Sequence, residues 1–362
     1  MKANSDWRQQ FDALRQEVTL KMQANSVQAT RRVREYLENH IPPRQGEAFL
    51  ALLNGLIGDH LLRRKSRYAL PMVLTDQQQV LADTPVKLAM QLPQATDKIV
   101  LCVHGWCMAD KGWQRRKGVD HGQQFASMGY TPVYLRYNTG KHISLNGEEL
   151  AFRLEKWLAA WPCPVKELVI IGHSMGGLVS RSACHYAEQH QLQWPQKLTT
   201  FVTLGTPHNG APLARFACWL DDYVAGIPQL SLLQKLGDIR SSGTKDLSQG
   251  AIVHTAWQRR TIPDQSDKQP HDTRCRPFLP QHAQNYAVAS CLSQQIHNEK
   301  HRKLGDGMVP VSSALGEATS AMSALDYPDT HKWLVGGINH VDLLSHPSVL
   351  AQVREWVLAN GR

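Results

Sequence analysis

Four strand-length apolar runs, broken only by Arg136 and Thr203 and each closing on a turn, limit the folds open to this chain more than any other feature. They are Ile99–Val103, Pro132–Tyr137, Leu168–Ile171 and Phe201–Leu204. They run into His104-Gly105, Asn138-Thr139-Gly140, Gly172 and Gly205 respectively. A strand with one wet face alternates apolar and polar side chains. A strand without that alternation is buried on both faces, as in parallel sheets covered by helices. Helical spacing in Glu148–Trp161, Leu178–Gln189 and Val349–Leu358 supplies the covering layers. The predicted fold class is α/β, a mostly parallel central sheet with helices on both faces. Further strands are expected at Tyr286–Ala289 and Trp333–Gly336, and a leading β-hairpin from Tyr68–Leu74 and Val86–Leu92.

Two segments fall outside this grammar. Residues 1–66 have apolar side chains at helical spacing (Trp7, Phe11, Leu14, Val18, then Phe49, Leu52, Leu53, Ile57), with Pro42-Pro43 between the two stretches. They are expected to form an N-terminal helical extension on a main domain of residues 67–362. Residues 212–283 interrupt the strand–helix alternation. Their first part is apolar (Phe216, Trp219, Leu220, Tyr223) and their second, from Gly237, is polar and rich in turn residues. An insertion of that length is usually functional or disordered, and a lid or cap is expected here.

Gly172-His173-Ser174-Met175-Gly176 lies between the buried run Leu168–Ile171 and the helical stretch that follows. A serine on a tight strand-to-helix turn projects its hydroxyl above the sheet edge, and the flanking glycines leave room for that turn. The helix N-terminus beneath it favours developing negative charge. Ser174 is therefore the candidate nucleophile.

Several segments of this sequence together resemble the α/β-hydrolase superfamily, in particular bacterial lipases, lipase-like serine esterases and deacylases of glycosylphosphatidylinositol lipids. They are Gly172-His173-Ser174-Met175-Gly176-Gly177, His104-Gly105-Trp106, Gly205-Thr206-Pro207-His208-Asn209-Gly210 and Gly305-Asp306-Gly307-Met308-Val309-Pro310. The resemblance spans about residues 97 to 360 and implies an α/β-hydrolase fold acting on acyl esters, without naming the ester. It also implies an oxyanion hole made by the backbone N–H groups of Met175 and Trp106, because acyl transfer places negative charge on the carbonyl oxygen.

Seventeen histidines compete for the role of base. In this fold the chain order is Ser, then Asp or Glu, then His, and the base follows the last strand. His340 meets that order after Trp333–Gly336 and before the final helix, with His331 and His346 as runners-up. The acid should follow Tyr286–Ala289, and Asp306 does so between two glycines. Asp342 reads as a local group. Asp221 and Asp222 are kept as alternatives, since an acid placed after the preceding strand is known in lipase-like folds. His104, His173 and His208 read as hydrogen-bonding turn residues near the site.

Composition removes other classes. The net charge is +9, but the cations are scattered without a run of five or six, so nothing beyond charge supports nucleic-acid binding. The charge would weakly favour an anionic lipid surface. The seven cysteines are odd in number and form no CxxC pair, so neither a metal site nor a disulfide framework is expected. Met1–Gln10 contains no apolar leader core, and the apolar runs are too short to cross a bilayer. A cytoplasmic protein, with peripheral membrane contact at most, is the expectation. The expected activity is carboxylic-ester hydrolysis of a small-molecule or lipid ester without cofactor or metal. An acyltransferase or thioesterase on the same residues is the alternative, and a non-enzymatic scaffold is a third class.

Overall fold

The computed structural model describes residues 43–114, 120–212, 214–216, 241–258, 277–318 and 324–360. Seven strands form one sheet: β1 (Val73–Thr75), β2 (Lys98–Val103), β3 (Thr131–Arg136), β4 (Glu167–His173), β5 (Leu198–Leu204), β6 (Gln284–Cys291) and β7 (Lys332–Gly336). Their spatial order is β1-β3-β2-β4-β5-β6-β7. Only β1 runs antiparallel to its neighbour, Val73 lying opposite Arg136. All other pairings are parallel.

The winding reverses at β2, with β3 added on one side of it and β4 on the other, so the switch point lies between β2 and β4. In open parallel sheets, such a switch point at the carboxyl ends of the strands is where binding crevices form. The residues after β2, β4, β5, β6 and β7 therefore meet along one sheet edge. Strand β4 is buried at all seven positions, as its lack of alternation requires.

Ten α-helices of four residues or more accompany the sheet among the described residues. They are α1 (Pro43–Arg63), α2 (Pro85–Gln91), α3 (His121–Ala126), α4 (Ile143–Ala159), α5 (Met175–Gln189), α6 (Ser242–Gln249), α7 (His254–Gln258), α8 (Glu299–Leu304), α9 (Val311–Ala314) and α10 (Pro347–Asn360). Two apolar clusters pack on the sheet. The larger joins α1, α4 and α5 to residues such as Leu101, Ile170 and Phe201. The smaller joins α10 to Val100, Val169, Val202 and Val288. Alternate residues of β2, β4 and β5 thus enter opposite layers, the pattern of a sheet covered twice.

Helix α1 includes the predicted apolar residues Phe49, Leu52 and Leu53, all buried in the larger cluster. The rest of the proposed extension, residues 1–42, lies outside the described residues. The leading hairpin is not formed. Val86–Leu92 falls mostly in α2, because Pro85 opens a helix after the extended Thr84. The alternation of Val86, Leu88 and Met90 looked like a half-buried strand. Instead only Leu88 is buried, and Val86 and Met90 are 74% and 77% exposed.

Most of the insertion at 212–283, including Asp221 and Asp222, also lies outside the described residues. Its segment 241–258 is anchored. Ser241 caps α6 through Thr244 N–H, and its hydroxyl donates to Gly55 O at 2.7 Å. Asp246 accepts from Ile143 N–H at 3.1 Å and lies 2.8 Å from His142 Nδ1.

Candidate active site

Strand β4 ends at His173 and α5 starts at Met175, which leaves Ser174 as the whole turn. Its backbone is at φ 53°, ψ −123°. A non-glycine residue held in so sparse a region costs about 1–3 kcal/mol, sustained only when the surroundings over-determine it. They do so here. Ser174 N–H donates to Leu204 O of β5 at 2.9 Å. Gly176 lies so close to β2 that a Cβ would stand 2.1 Å from Val103 O. Met175 is the first residue of α5, so its N–H is among the donors that the helix itself cannot use.

Asp306 comes from the loop after β6, and His340 from the loop after β7. His340 Nδ1 lies 2.7 Å from Asp306 Oδ2, with both side chains buried. The second carboxylate oxygen accepts from Met308 N–H at 2.9 Å and Val309 N–H at 2.8 Å. His340 N–H donates to Asp306 O at 3.1 Å. An ionised carboxylate only accepts, so Nδ1 carries the proton and Nε2 is left as the basic nitrogen. Among the described residues, the contact with Asp306 is the only hydrogen bond of the His340 ring.

Gly205 makes this pairing fit over the end of β5. At φ 56° it takes a conformation suited to glycine, and a Cβ would stand 3.0 Å from Asp306 Oδ2 and 3.2 Å from His340 Nδ1. The loop after β2 approaches from the other side. A Cβ on Gly105 would lie 3.0 Å from both Ser174 Cβ and His173 Nδ1. The next residue, Trp106, is buried, donates its indole N–H to Gly55 O at 3.2 Å and meets Phe216 edge-on at 5.6 Å.

The other histidines of the edge are occupied structurally. His104 stacks on Tyr137 at 4.5 Å, and burial pushes its pKa down to about 4. His208 is buried, with Nε2 3.3 Å from Thr203 Oγ1 and 3.2 Å from the Tyr327 hydroxyl. His331 Nδ1 lies 3.0 Å from Asn285 O, and half-buried His346 Nδ1 lies 2.8 Å from Ser348 Oγ. Asp342 accepts from Asn339 Nδ2 at 2.9 Å in its own turn. Burial raises the pKa values of Cys102, Cys107 and Cys184, which keeps these thiols protonated and poor nucleophiles.

Two histidine contacts were not anticipated. His173 Nε2 lies 2.9 Å from His340 O, and His121 Nε2 lies 3.3 Å from Leu343 O. Neither contact leaves a spacing signal, because each joins residues far apart in sequence. Among the described residues, no group of three or more His, Cys, Asp or Glu side chains could hold a metal ion. No helix among them is long and apolar enough to cross a membrane.

Residues 156–274 match the family model described as a PGAP1-like alpha/beta domain. That span, about a third of the chain, contains Ser174 and Gly205 but not Asp306 or His340. It agrees with the sheet order and the serine turn. The fold is that of an α/β-hydrolase.

Solved structures similar to this α/β-hydrolase fold include a Bacillus licheniformis lipase in mature form, at 17% identity and TM-score 0.43, covering 72% of this chain and 91% of the lipase. The Pyrococcus furiosus esterase Pf2001 matches at 14% identity and TM-score 0.44, with 74% and 83% covered. A thioesterase from the prodiginine biosynthetic pathway of Streptomyces coelicolor matches at 12% and 0.40, with 74% and 91% covered. No curated protein matches the sequence. Likeness at this level carries nothing about reaction or substrate.

Proposed function

We propose that the protein is a serine hydrolase of carboxylic esters, with Ser174 as nucleophile, His340 as general base and Asp306 as the acid that orients it. The single observation behind this reading is the buried His340–Asp306 pair, held over the end of β5 beside the strand that delivers Ser174 on a strained turn.

The proposed chemistry runs in two halves. His340 Nε2 takes the Ser174 proton as the hydroxyl attacks the ester carbonyl. The N–H groups of Met175 and Trp106 receive the developing oxyanion. His340 returns the proton to the leaving alcohol, and an acyl-enzyme remains. Water, deprotonated by His340, then attacks the acyl carbon and frees the acid and the serine. Asp306 stays ionised throughout and stabilises the imidazolium. The Ser174–His340 hydrogen bond forms as the substrate seats, because such contacts commonly tighten only in the reacting complex.

The apolar first part of the 212–283 insertion is proposed to cover the site and to shelter the acyl chain. This favours a small-molecule or lipid ester with an apolar acyl group. Peripheral contact with a lipid surface belongs to the same proposal. So does the division into an extension to residue 66 and a hydrolase domain beyond it.

The test is hydrolysis of p-nitrophenyl esters of increasing chain length, run beside Ser174→Ala and a fluorophosphonate label. The expected result is ester cleavage and labelling that both vanish in Ser174→Ala. Equal rates in the two proteins would end the reading. Preferential capture of the acyl group by an added alcohol or thiol over water would convert it to an acyl transfer.

A further inference from the structure

The base turn Ile338–Leu344 is held from beneath by two buried imidazoles. His173, the residue before the candidate nucleophile, reaches His340 O from Nε2 at 2.9 Å. His121, at the start of α3, reaches Leu343 O at 3.3 Å. Trp113 meets both rings edge-on, at 5.9 Å from His121 and 6.5 Å from His173. All three side chains are buried. A carbonyl oxygen can only accept, so His173 and His121 each carry a proton on Nε2.

The His173 contact spans the two halves of the proposed machinery. His173 is bonded covalently to Ser174 and by hydrogen bond to the main chain of His340. Its ring also lies against the His340 ring, with centroids 4.7 Å apart and planes at 48°. Asp306 holds the His340 N–H and Nδ1, so His173 supplies the remaining main-chain hold, at the carbonyl. We infer that His173 is a positioning residue that sets the distance and angle between the Ser174 hydroxyl and the His340 ring. It touches no reacting atom in the scheme above. The inference rests on that scheme, and it adds that the residue before the serine does more than shape the turn.

The test compares His173→Asn with His173→Gln in the full chain, using a short-chain p-nitrophenyl ester. The glutamine amide can reach the position of Nε2, whereas the asparagine amide is too short. Active sites are counted by fluorophosphonate titration, so a lower folded fraction does not enter the comparison. His173→Asn should lower kcat per titrated site by roughly tenfold to a hundredfold, the scale of a misplaced reacting group, with little change in KM. His173→Gln should restore most of it. A kcat in His173→Asn within roughly twofold of wild type would overturn the inference.

A second readout uses the unaltered protein and so survives a variant that does not fold. Imidazole ¹⁵N shifts of the neutral His173 ring should place its proton on Nε2 rather than Nδ1. The opposite tautomer would also overturn it. Loss of wild-type labelling, or retained activity in Ser174→Ala, would instead sink the hydrolase reading itself.

Discussion

Among the described residues stand two sets of serine, histidine and carboxylate, and the proposed chemistry uses one of them. At the sheet edge stand Ser174, His340 and Asp306. Between α4 and α7 stand Ser144, His254 and Glu148, with Ser144 Oγ 2.9 Å from His254 Nδ1 and His254 Nε2 3.1 Å from Glu148 Oε2. By bonded contacts alone the second set is the more complete.

Its surroundings deny it a reaction. Ser144 lies in the first turn of α4 in ordinary helical register, and its oxygen accepts the Trp257 indole N–H at 2.9 Å. Glu148 is shared between His254 and His190 and is about a third exposed. Asp306, by contrast, is buried, and the carboxylate oxygen turned away from His340 accepts from two backbone N–H groups. What separates the two sets is therefore the backbone: a strained turn under the hydroxyl, and amides that fix the acid. The second set, with His142 and Asp246, fastens the segment 241–258 to α4.

The largest effect that would break this contrast is on activity. Ser174→Ala should lower kcat by about 10⁶, whereas Ser144→Ala should leave it nearly unchanged. A reversed ranking in the same ester assay would exchange the two sites. Asp306→Asn should cost about 10⁴ in kcat through the wrong His340 tautomer, and Glu148→Gln should cost almost nothing. Equal losses for the two would mean that the carboxylates do the same work.

Next in size is the response to acid. Burial pushes His121 down to about 4, so its neutral form is favoured in the folded state. The sign follows from linkage: the stabilisation is complete above the ordinary value near 6.5 and is lost as pH falls from there through about 4. It amounts to on the order of 3 kcal/mol. Denaturant midpoints measured between pH 7 and 4 should fall, and His121→Gln should flatten part of the decline. A midpoint that holds steady in the wild type would show that His121 is not buried in solution. The smallest effect belongs to the fastening set. His254→Gln should destabilise by about 1 kcal/mol and speed hydrogen exchange in 241–258 before it touches kcat. Unchanged exchange there would mean that the segment is held by other contacts.

The sheet was legible in the sequence because buried parallel strands leave nearly unbroken apolar runs, and β2, β4 and β5 begin or end within a residue or two of those runs. Ser174 was legible because its turn demands small neighbours at fixed offsets. Asp306 and His340 could be nominated from chain order, which the sheet order reproduces. Val86–Leu92 misled, since alternation over so few residues does not separate a strand from a short surface helix opened by proline. The holds of His173 and His121 on the base turn, and the Ser144 set, could not be read at all. They depend on which loops the sheet brings together, and no local pattern records that.

Strand β6 joins the sheet only after the long excursion between Leu204 and Gln284, and β7 can add only to β6. The edge that carries residues 306 and 340 thus forms through distant pairings, which are the slow ones in folding. Recovery of turnover after dilution from denaturant should lag the return of helical signal, making activity a clock for the final strands rather than for collapse.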